Sequence, residues 1–521
     1  MEDKGKPKKP IIDALIFDLD GVVTQTRKLH KKAWKQLFDQ FFAFSSDFGD
    51  QKPMSEADYV DHIDGKPRYD GVRDFLKSRS IDLPFGKIPD PPGMKSICGL
   101  GNHKNELFRK VLDSDGAEVY ENAVSLIKNW RKNGGKTAIV SSSKNCKAIL
   151  ERAGLLELFD VRVDGVTAED LGLKGKPDPD IFVEAARELN ARPEHSIVFE
   201  DATSGVQAGQ RGFFGLVVGV ARFENEDNLR KNGADLIIKD FKEFDLESEE
   251  VRAYFLSSTP HVFSENSKLF DLISARKPAF FLDYDGTLTP IVKKPEDAVL
   301  SDEMRNTLKK LANTFTVAVV TGRDKEDVQQ FIKLDQIIYS GSHGYVTSGP
   351  DGLFMEHEDA EKIKKGLDVI EEQLNNKFSK DNDGVQIDRK LYAIAVHYRN
   401  ATKKATDKVF EVVDDLLEKR DGYKKGEGKM VVEIKPDIDW HKGKAVLWIM
   451  EHLGIDKDEQ VIPIFIGDDV TDEDAFEVLK GKGIGILVEN RGQDTAASYS
   501  LKDVYQVRAF FEKALHLHHQ K

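Results

Sequence analysis

The stretch Ile11-Ile12-Asp13-Ala14-Leu15-Ile16-Phe17-Asp18-Leu19-Asp20-Gly21 and the later stretch Ala279-Phe280-Phe281-Leu282-Asp283-Tyr284-Asp285-Gly286 follow one plan. Each is a short apolar run rich in β-formers that stops at two aspartates and a glycine. Such a run reads as a buried parallel strand, with the aspartates at its carboxyl end. Three further landmarks repeat in the same order. Thr137-Ala138-Ile139-Val140 ends at Ser141, and Val317-Ala318-Val319-Val320 ends at Thr321-Gly322-Arg323. Lys176 precedes Pro177, and Lys442 precedes Gly443. Ile197-Val198-Phe199 runs into Glu200-Asp201, and Ile464-Phe465-Ile466-Gly467 runs into Asp468-Asp469. Amphipathic helical patterns lie between them, as over 121–133 and 302–313. Strands alternating with helices predict an α/β fold with parallel, Rossmann-like sheets, and ligands in such sheets bind beyond the carboxyl ends of the strands. All four landmarks of each half fall there.

The intervals between landmarks carry separate information. Asp18 to Ser141 is 123 positions and Ser141 to Lys176 is 35, whereas Asp283 to Thr321 is 38 and Thr321 to Lys442 is 121. The last interval hardly changes, 25 positions to Asp201 and 26 to Asp468. Each half is therefore a core of similar size with one large insertion, in a different slot. Long insertions in compact domains are usually functional or small domains of their own. Both are read as caps: a helical one over about 28–110, and a mixed α/β one over about 345–430 with strand-like runs at Leu391–Tyr398 and Met430–Ile434. The expected organisation is a first domain over 1–245, a linker over 246–264 and a second domain over 265–521.

Bulk properties bound the function. The chain has 521 residues, 40% hydrophobic and 32% charged, with a formal charge of −14. That charge argues against non-specific nucleic-acid or anionic-membrane binding. No run of about 18 apolar residues spans a membrane, and the amino end lacks a signal-peptide pattern. Two cysteines, Cys98 and Cys146, fit a reducing cytoplasm.

The constellation suits phosphoryl transfer through an aspartyl phosphate. Asp18 or Asp283 would attack phosphorus, which splits one difficult displacement into two steps. Asp20 or Asp285 would be the general acid and then the base. The dense phosphoryl charge calls for a cation, and magnesium prefers oxygen ligands. The nucleophile, the backbone carbonyl of Asp20 or Asp285, and a carboxylate from Glu200-Asp201 or Asp468-Asp469 would hold Mg2+. Ser141 or Thr321 would bond phosphoryl oxygens, and Lys176 or Lys442 would neutralise the nucleophile. Thr471-Asp472-Glu473-Asp474 reads as a capped helix start with acids on the positive dipole end, with Asp472 kept as an outer magnesium partner.

Both halves resemble the haloacid dehalogenase superfamily, whose members use this four-motif site. The first half resembles the β-phosphoglucomutase subgroup through Asp18-Leu19-Asp20-Gly21-Val22-Val23-Thr24, Thr26, His30, the Ser141, Ser143, Lys144, Asn145 segment, Lys176-Pro177-Asp178-Pro179-Asp180, and Glu200-Asp201 with Ser204-Gly205. The resemblance implies that His30 helps hold the acid-base in register. It also implies that Arg68, in Asp64-Gly65-Lys66-Pro67-Arg68, grips a distal phosphate, with Ser143, Lys144 and Asn145 in the substrate site. Asp64 stands where well-known members carry a lysine. The second half is similar to trehalose-6-phosphate phosphatases through Asp283 to Leu288, Thr321-Gly322-Arg323, Gly341-Ser342-His343-Gly344, Glu433 with Lys435-Pro436, Trp440-His441-Lys442-Gly443, and Gly467 to Asp474. It implies that Arg323, His343, Arg399 and Glu433 surround the sugar and phosphate. Ser342 replaces that family's usual asparagine.

Together the resemblances imply a magnesium-dependent bifunctional enzyme on small sugar phosphates. The second half would hydrolyse trehalose 6-phosphate. The first would interconvert β-glucose 1-phosphate and glucose 6-phosphate, or act as a hexose-phosphate phosphatase. Phosphorolysis of trehalose, which can yield β-glucose 1-phosphate, would link the two. The alternative is that one half is a non-catalytic sugar-phosphate-binding regulatory module. An aspartyl-phosphate phosphatase acting on proteins fits less well, because two large caps favour closed sites for small molecules.

Overall fold

The repeated apolar runs form the middle strands of two sheets in a computed structural model of the chain. It describes residues 12–44, 51–63, 66, 68–222, 225–256, 259–264, 267–292, 294–378, 384–398, 401–428, 430–489 and 492–520. Contacts divide the chain into two units, 1–256 and 257–521. The first contains β1 (Ala14–Asp18), β2 (Lys136–Val140), β3 (Val161–Val163), β4 (Ser196–Glu200), β5 (Leu216–Val220) and β6 (Leu236–Ile238). Their order is β3-β2-β1-β4-β5-β6, with every pairing parallel. β1 is buried throughout because helices cover both faces: Leu15 and Phe17 enter one apolar cluster, Ala14 and Ile16 the other.

The second unit repeats this frame. Its core strands are β7 (Lys277–Leu282), β8 (Thr316–Val320), β9 (Ile338–Gly341), β10 (Val346–Ser348) and β11 (Phe354–Glu356). Its cap strands are β12 (Gln386–Lys390), β13 (Ala393–His397), β14 (Tyr423–Gly428) and β15 (Val431–Pro436). The core closes with β16 (Val461–Gly467), β17 (Ile484–Val488) and β18 (Tyr499–Leu501). The core order is β11-β10-β9-β8-β7-β16-β17-β18. Its inner six strands match the first sheet, and an antiparallel hairpin extends one edge. Phe280 and Leu282 face one cluster, Ala279 and Phe281 the other.

The insertions fall in the slots that spacing indicated. Between β1 and β2 the helices Arg27–Phe44, Glu56–His62, Arg68–Ser78 and Ile97–Asp115 make the first cap. In the second unit the sheet β12-β13-β15-β14 carries helices Ala360–Lys377 and Lys403–Glu418 over its own core of Leu367, Ile370, Val396 and Val432. The run at Leu391–Tyr398 is shorter as a strand than its composition suggests, because Leu391 and Tyr392 turn between β12 and β13.

The stretch 246–264 carries structure on both sides of residues 257 and 258, which lie outside the described residues. Val251 and Phe255 enter the first core. Val262 enters the second and donates its N–H to Ser500 O at 3.0 Å. Among the described residues no helix is long and apolar enough to cross a membrane.

Candidate active sites

In the first unit Asp18 is the last residue of β1, and the chain turns at once. Gly21 N donates to Thr24 O at 2.8 Å, and Gly21 has φ +88°. A methyl group there would lie 1.8 Å from Asp201 Oδ2. In the second unit Gly286 has φ +72°, and its Cβ would lie 2.0 Å from Asp468 Oδ2. Both glycines are required twice, by a left-handed backbone and by a carboxylate from the end of another strand. The approach draws the first and last landmarks into one cluster: Asp18, Glu200 and Asp201 in one unit, Asp283, Asp468 and Asp472 in the other.

The charge in these clusters is out of balance. Lys176 is ion-paired to Asp18 and donates to Glu200 Oε2 at 2.6 Å. Burial pulls its pKa down, but Asp18 and Glu200 raise it on balance, so the ammonium is firmly charged. Burial, then Glu200, push the Asp18 carboxyl well above the usual range, and burial with Glu200 and Asp18 does the same to Asp201. In the second unit Lys442 Nζ donates to Asp283 Oδ1 and Asp472 Oδ1, both at 2.7 Å. Burial pushes Asp283 up to about 7, with Lys442 pulling down and Asp472 pushing up. Asp468 is pushed to about 8 by burial and by Asp283, Asp472 and Asp469. In each unit three carboxylates crowd around one lysine. An all-oxygen donor set with surplus negative charge, closed over a glycine that leaves no room for a side chain, fits a hard divalent cation.

Asp20 and Asp285 are held differently. Asp20 accepts from Thr26 Oγ1 and from Ser141 Oγ at 3.5 Å, and burial raises it to about 6 against the pull of Lys176 and Lys104. Asp285 takes both arms of Arg323, Nε to Oδ2 at 2.6 Å and Nη2 to Oδ1 at 2.7 Å. Arg323 also donates to Pro295 O at 3.0 Å and lies over the rings of Tyr284 and Phe331. Thr321 is buried at the end of β8, its Oγ1 accepting from Arg323 N at 3.2 Å.

The second site opens into a cavity of about 610 Å³ between core and cap of the same unit. His343, Lys390, Tyr392, Glu433, Lys435 and Lys442 are among its lining residues. Burial, then Lys442, lower His343 to about 4, so its ring is neutral near pH 7. Ser342 and His343 have φ +50° and +57°, the left-handed region where asparagine fits more readily than serine. Ser342 Oγ donates to Asp324 Oδ1 at 2.7 Å, and Asp324 Oδ2 accepts from Leu391 N of the cap at 3.1 Å.

Some expected residues stand elsewhere. Asp469, taken as a metal ligand, instead caps its own turn, accepting from Val470 N at 2.7 Å. Asp472 replaces it in the cluster, fully buried and accepting from the N–H groups of Asp468 and Asp469 at 3.0 Å each. The shift follows from the helix start read in the sequence, whose cap curls Asp472 back over β16. Lys144 is ion-paired with Glu169 at the surface rather than turned to the site. His30 reaches Asp20 only through Thr26, whose carbonyl accepts from His30 N at 2.9 Å and whose hydroxyl donates to Asp20. Its ring Nδ1 meets Lys104 Nζ at 2.6 Å, and the ring stacks on Phe108. Arg399 and the segment residues Asp64, Gly65 and Pro67 lie outside the described residues.

Lys104 was not anticipated. It is buried on the cap helix Ile97–Asp115, with Nζ over the rings of Trp34 and Phe108, and burial with Arg68 lowers it to about 7. Its only trace in the sequence is a lysine within the apolar stripe of Leu100, Phe108 and Leu112.

Residues 281–505 match the family model for trehalose-phosphatase, and residues 12–212 match that for haloacid dehalogenase-like hydrolase. A trehalose-phosphate phosphatase of Mycobacterium leprae is 33% identical over 407 residues, 75% of this chain and 92% of its own length. A protein of Mycobacterium tuberculosis strain CDC 1551, described as an uncharacterized glycosyl hydrolase, is 35% identical over 509 residues, 96% of this chain and 38% of its own length. The chain thus spans less than half of that relative. Among solved structures, a β-phosphoglucomutase from Clostridium difficile is 26% identical with a TM-score of 0.38, covering 47% of this chain and 98% of its own.

Proposed function

Since the chain belongs to the trehalose-phosphatase family and also carries a haloacid dehalogenase-like hydrolase domain, we propose that its second unit hydrolyses trehalose 6-phosphate to trehalose and phosphate. We propose that its first unit interconverts β-glucose 1-phosphate and glucose 6-phosphate. The observation that carries the reading is the duplicated cluster. Each unit keeps a nucleophile, a buried lysine bonded to it, and further carboxylates that leave the site short of positive charge.

In the second unit an oxygen of Asp283 attacks phosphorus, and the bond from phosphorus to the sugar oxygen breaks. Asp285, held by Arg323, gives that oxygen its proton. Asp285 then takes a proton from water, whose oxygen attacks phosphorus and frees Asp283 and inorganic phosphate. Lys442 holds Asp283 in its attacking orientation. Asp283, the Asp285 carbonyl, Asp468 and Asp472 would hold or flank Mg2+, which neutralises the phosphoryl oxygens when bound. The cavity seats the disaccharide: Glu433 and Tyr392 can accept from or donate to hydroxyls, and His343 is a neutral partner.

In the first unit Asp18 and Asp20 take the same roles, with Lys176, Ser141, Glu200 and Asp201 around them. A mutase differs from a phosphatase only in that a second sugar hydroxyl, rather than water, takes the phosphoryl group from Asp18. Two buried free cysteines fit a cytoplasmic setting.

The test is phosphate release from trehalose 6-phosphate by the full chain and its Asp283→Asn variant. Undiminished hydrolysis by the variant would overturn the assignment. For the first unit, β-glucose 1-phosphate with a trace of the 1,6-bisphosphate should give glucose 6-phosphate; free phosphate alone would rule out the mutase.

A further inference from the structure

Four landmarks build the first cluster, yet two main-chain carbonyls that shape it are held from a fifth place. The loop after β5 carries Arg222 and Asn225. Arg222 Nε donates to Gly21 O at 3.0 Å, and Asn225 Nδ2 donates to Asp201 O at 3.1 Å. Gly21 and Asp201 are the pair whose approach closes the cluster, the glycine leaving no room for a side chain against Asp201 Oδ2. One short loop thus grips both acidic loops by their main chain.

Both side chains are diverted from the roles their local sequence offers. Asn225 stands at the N-cap of the helix Glu226–Lys231, where an asparagine ordinarily accepts from the first N–H groups of the helix. It makes no such bond and turns its amide to Asp201 instead. Arg222 forms no ion pair among the described residues. Its Nη1 donates to Lys239 O at 2.9 Å, just past β6, and its guanidinium lies 3.7 Å from the centre of the Tyr120 ring. Tyr120 is where the chain returns from the cap: its N–H donates to Val23 O at 2.9 Å, beside Gln25 N donating to Glu118 O at 2.9 Å. Arg222 is therefore fixed by a strand end, by a ring at the base of the cap and by the aspartate loop itself.

We propose that Arg222 and Asn225 are positioning residues of the first unit, which keep the Asp18–Gly21 loop and Asp201 together for a divalent cation. Asp18, Glu200 and Asp201 repel one another, so their approach must be held by groups outside the three. Lys176 holds two of them by their side chains, and the loop after β5 holds Gly21 and Asp201 by their carbonyls. A site held in this way before the ion arrives loses less ordering free energy on binding it, and so binds it more tightly. The inference rests on the reading of this cluster as a magnesium-dependent phosphoryl-transfer site. Both residues act through a neighbouring carbonyl.

The experiment titrates Mn2+, standing in for Mg2+, into the full chain carrying Asp468→Ala, which weakens the second cluster and leaves the first as the tight site. Free ion is read by electron paramagnetic resonance. Asn225→Ala should raise the Kd about three- to tenfold, the size of one lost hydrogen bond. Arg222→Met should raise it about tenfold or more, and Arg222→Lys should recover part of that loss. Arg192→Met is the control for general loosening: it loses the two-armed pair with Asp13 at the opposite end of β1 and should leave the Kd within about twofold. A Kd within about twofold of the parent's in both Asn225→Ala and Arg222→Met overturns the proposal, while the parent's own binding keeps the metal reading. A Kd raised as much by Arg192→Met overturns it as well, since the effect is then one of stability alone. If the parent binds no Mn2+ at the first cluster, the metal reading falls and the proposal with it.

Discussion

The two units solve one electrostatic problem from different positions in the chain. Each holds a charged lysine between the aspartate that ends its central strand, Asp18, or follows it, Asp283, and a second carboxylate. In the first unit that carboxylate is Glu200, the residue before Asp201 and still on β4. In the second it is Asp472, four residues after Asp468 and beyond a helical turn. Glu200 uses its other oxygen to accept from Ala202 N at 3.0 Å, whereas Asp472 also accepts from two backbone N–H groups, those of Asp468 and Asp469, in the loop after β16. The longer glutamate reaches the lysine from the strand; the shorter aspartate needs a turn to carry it there. What is shared is the position of the charge, and its place in the sequence is free to vary. The same holds for the acids: hydroxyls hold Asp20, a guanidinium holds Asp285.

The largest expected effect asks whether the sites are separate. Asp283→Asn should cut trehalose 6-phosphate hydrolysis by about a thousandfold or more and leave glucose 6-phosphate formation intact; Asp18→Asn should do the reverse. Loss of both activities from either change would mean that one site serves both, and the comparison would collapse. Next comes the lysine's partner. Asp472→Ala leaves Lys442 half-paired in the interior and frees two loop N–H groups, which should destabilise the second unit by about 3–5 kcal/mol. Glu200→Ala should cost the first unit less, since one backbone contact is lost rather than two. Trp34 and Trp130 report on the first unit, Trp440 and Trp448 on the second, so denaturant titrations followed by fluorescence and by calorimetry can compare the two. A greater loss at Glu200 would reverse the argument.

The sequence carries the cores well because buried parallel strands leave near-continuous apolar runs, and their ends mark the chemistry. Asp18, Asp20 and Asp201 sit at or just past such ends, as do Asp283, Asp285 and Asp468. Lys176 lies instead in the loop before the helix Asp180–Glu188, and Lys442 opens the helix Lys442–His452, away from the strand ends where their landmarks were expected. Cap slots were legible from intervals alone, since an insertion changes one spacing and spares the others. Side-chain direction was not. Asp469 and Asp472 are both acids in one short run, and which of them turns inward depends on a capping box that only folding closes. Lys144 beside Asn145 reads as one binding segment, yet the helix start sends one outward and one inward. Lys104 was hidden for a different reason: a lysine within a helical stripe looks like a solvated residue until a second helix covers it.

The hold on the acid gives a smaller effect. Arg323→Lys keeps the charge but loses the two-armed grip on Asp285. Trehalose 6-phosphate hydrolysis should lose about 10- to 100-fold in kcat with KM changed by less than about threefold, because the acid is misaimed while the cavity is intact. A change mainly in KM would show that Arg323 grips substrate, as the resemblance implied, and that the contact with Asp285 is incidental. Thr26→Val is the matching change in the first unit, where one hydroxyl of two is lost and the fall in kcat should be less.

The smallest effect is a pH slope that one unit should have and the other lack. Burial lowers Lys104 to about 7, so its ammonium is charged below that pH and loses its proton above it. An anion bound beside it restores the charge, which means that above pH 7 binding takes up a proton. Affinity of the first site for a sugar phosphate should then fall by up to about tenfold per pH unit between 7 and 8.5, where the phosphoryl group itself no longer titrates. The sign for stability is opposite: the folded pKa lies below the unfolded one, so the cost of the buried charge is carried in full below pH 7 and relieved as pH rises toward the unfolded value. In the second cavity His343 is already neutral above about 4 and contributes no such slope. Lys104→Arg keeps its charge throughout and should flatten the first site's KM profile. A slope that survives this change must come from another group, and the buried lysine would then be a packing feature of the cap rather than part of its anion site.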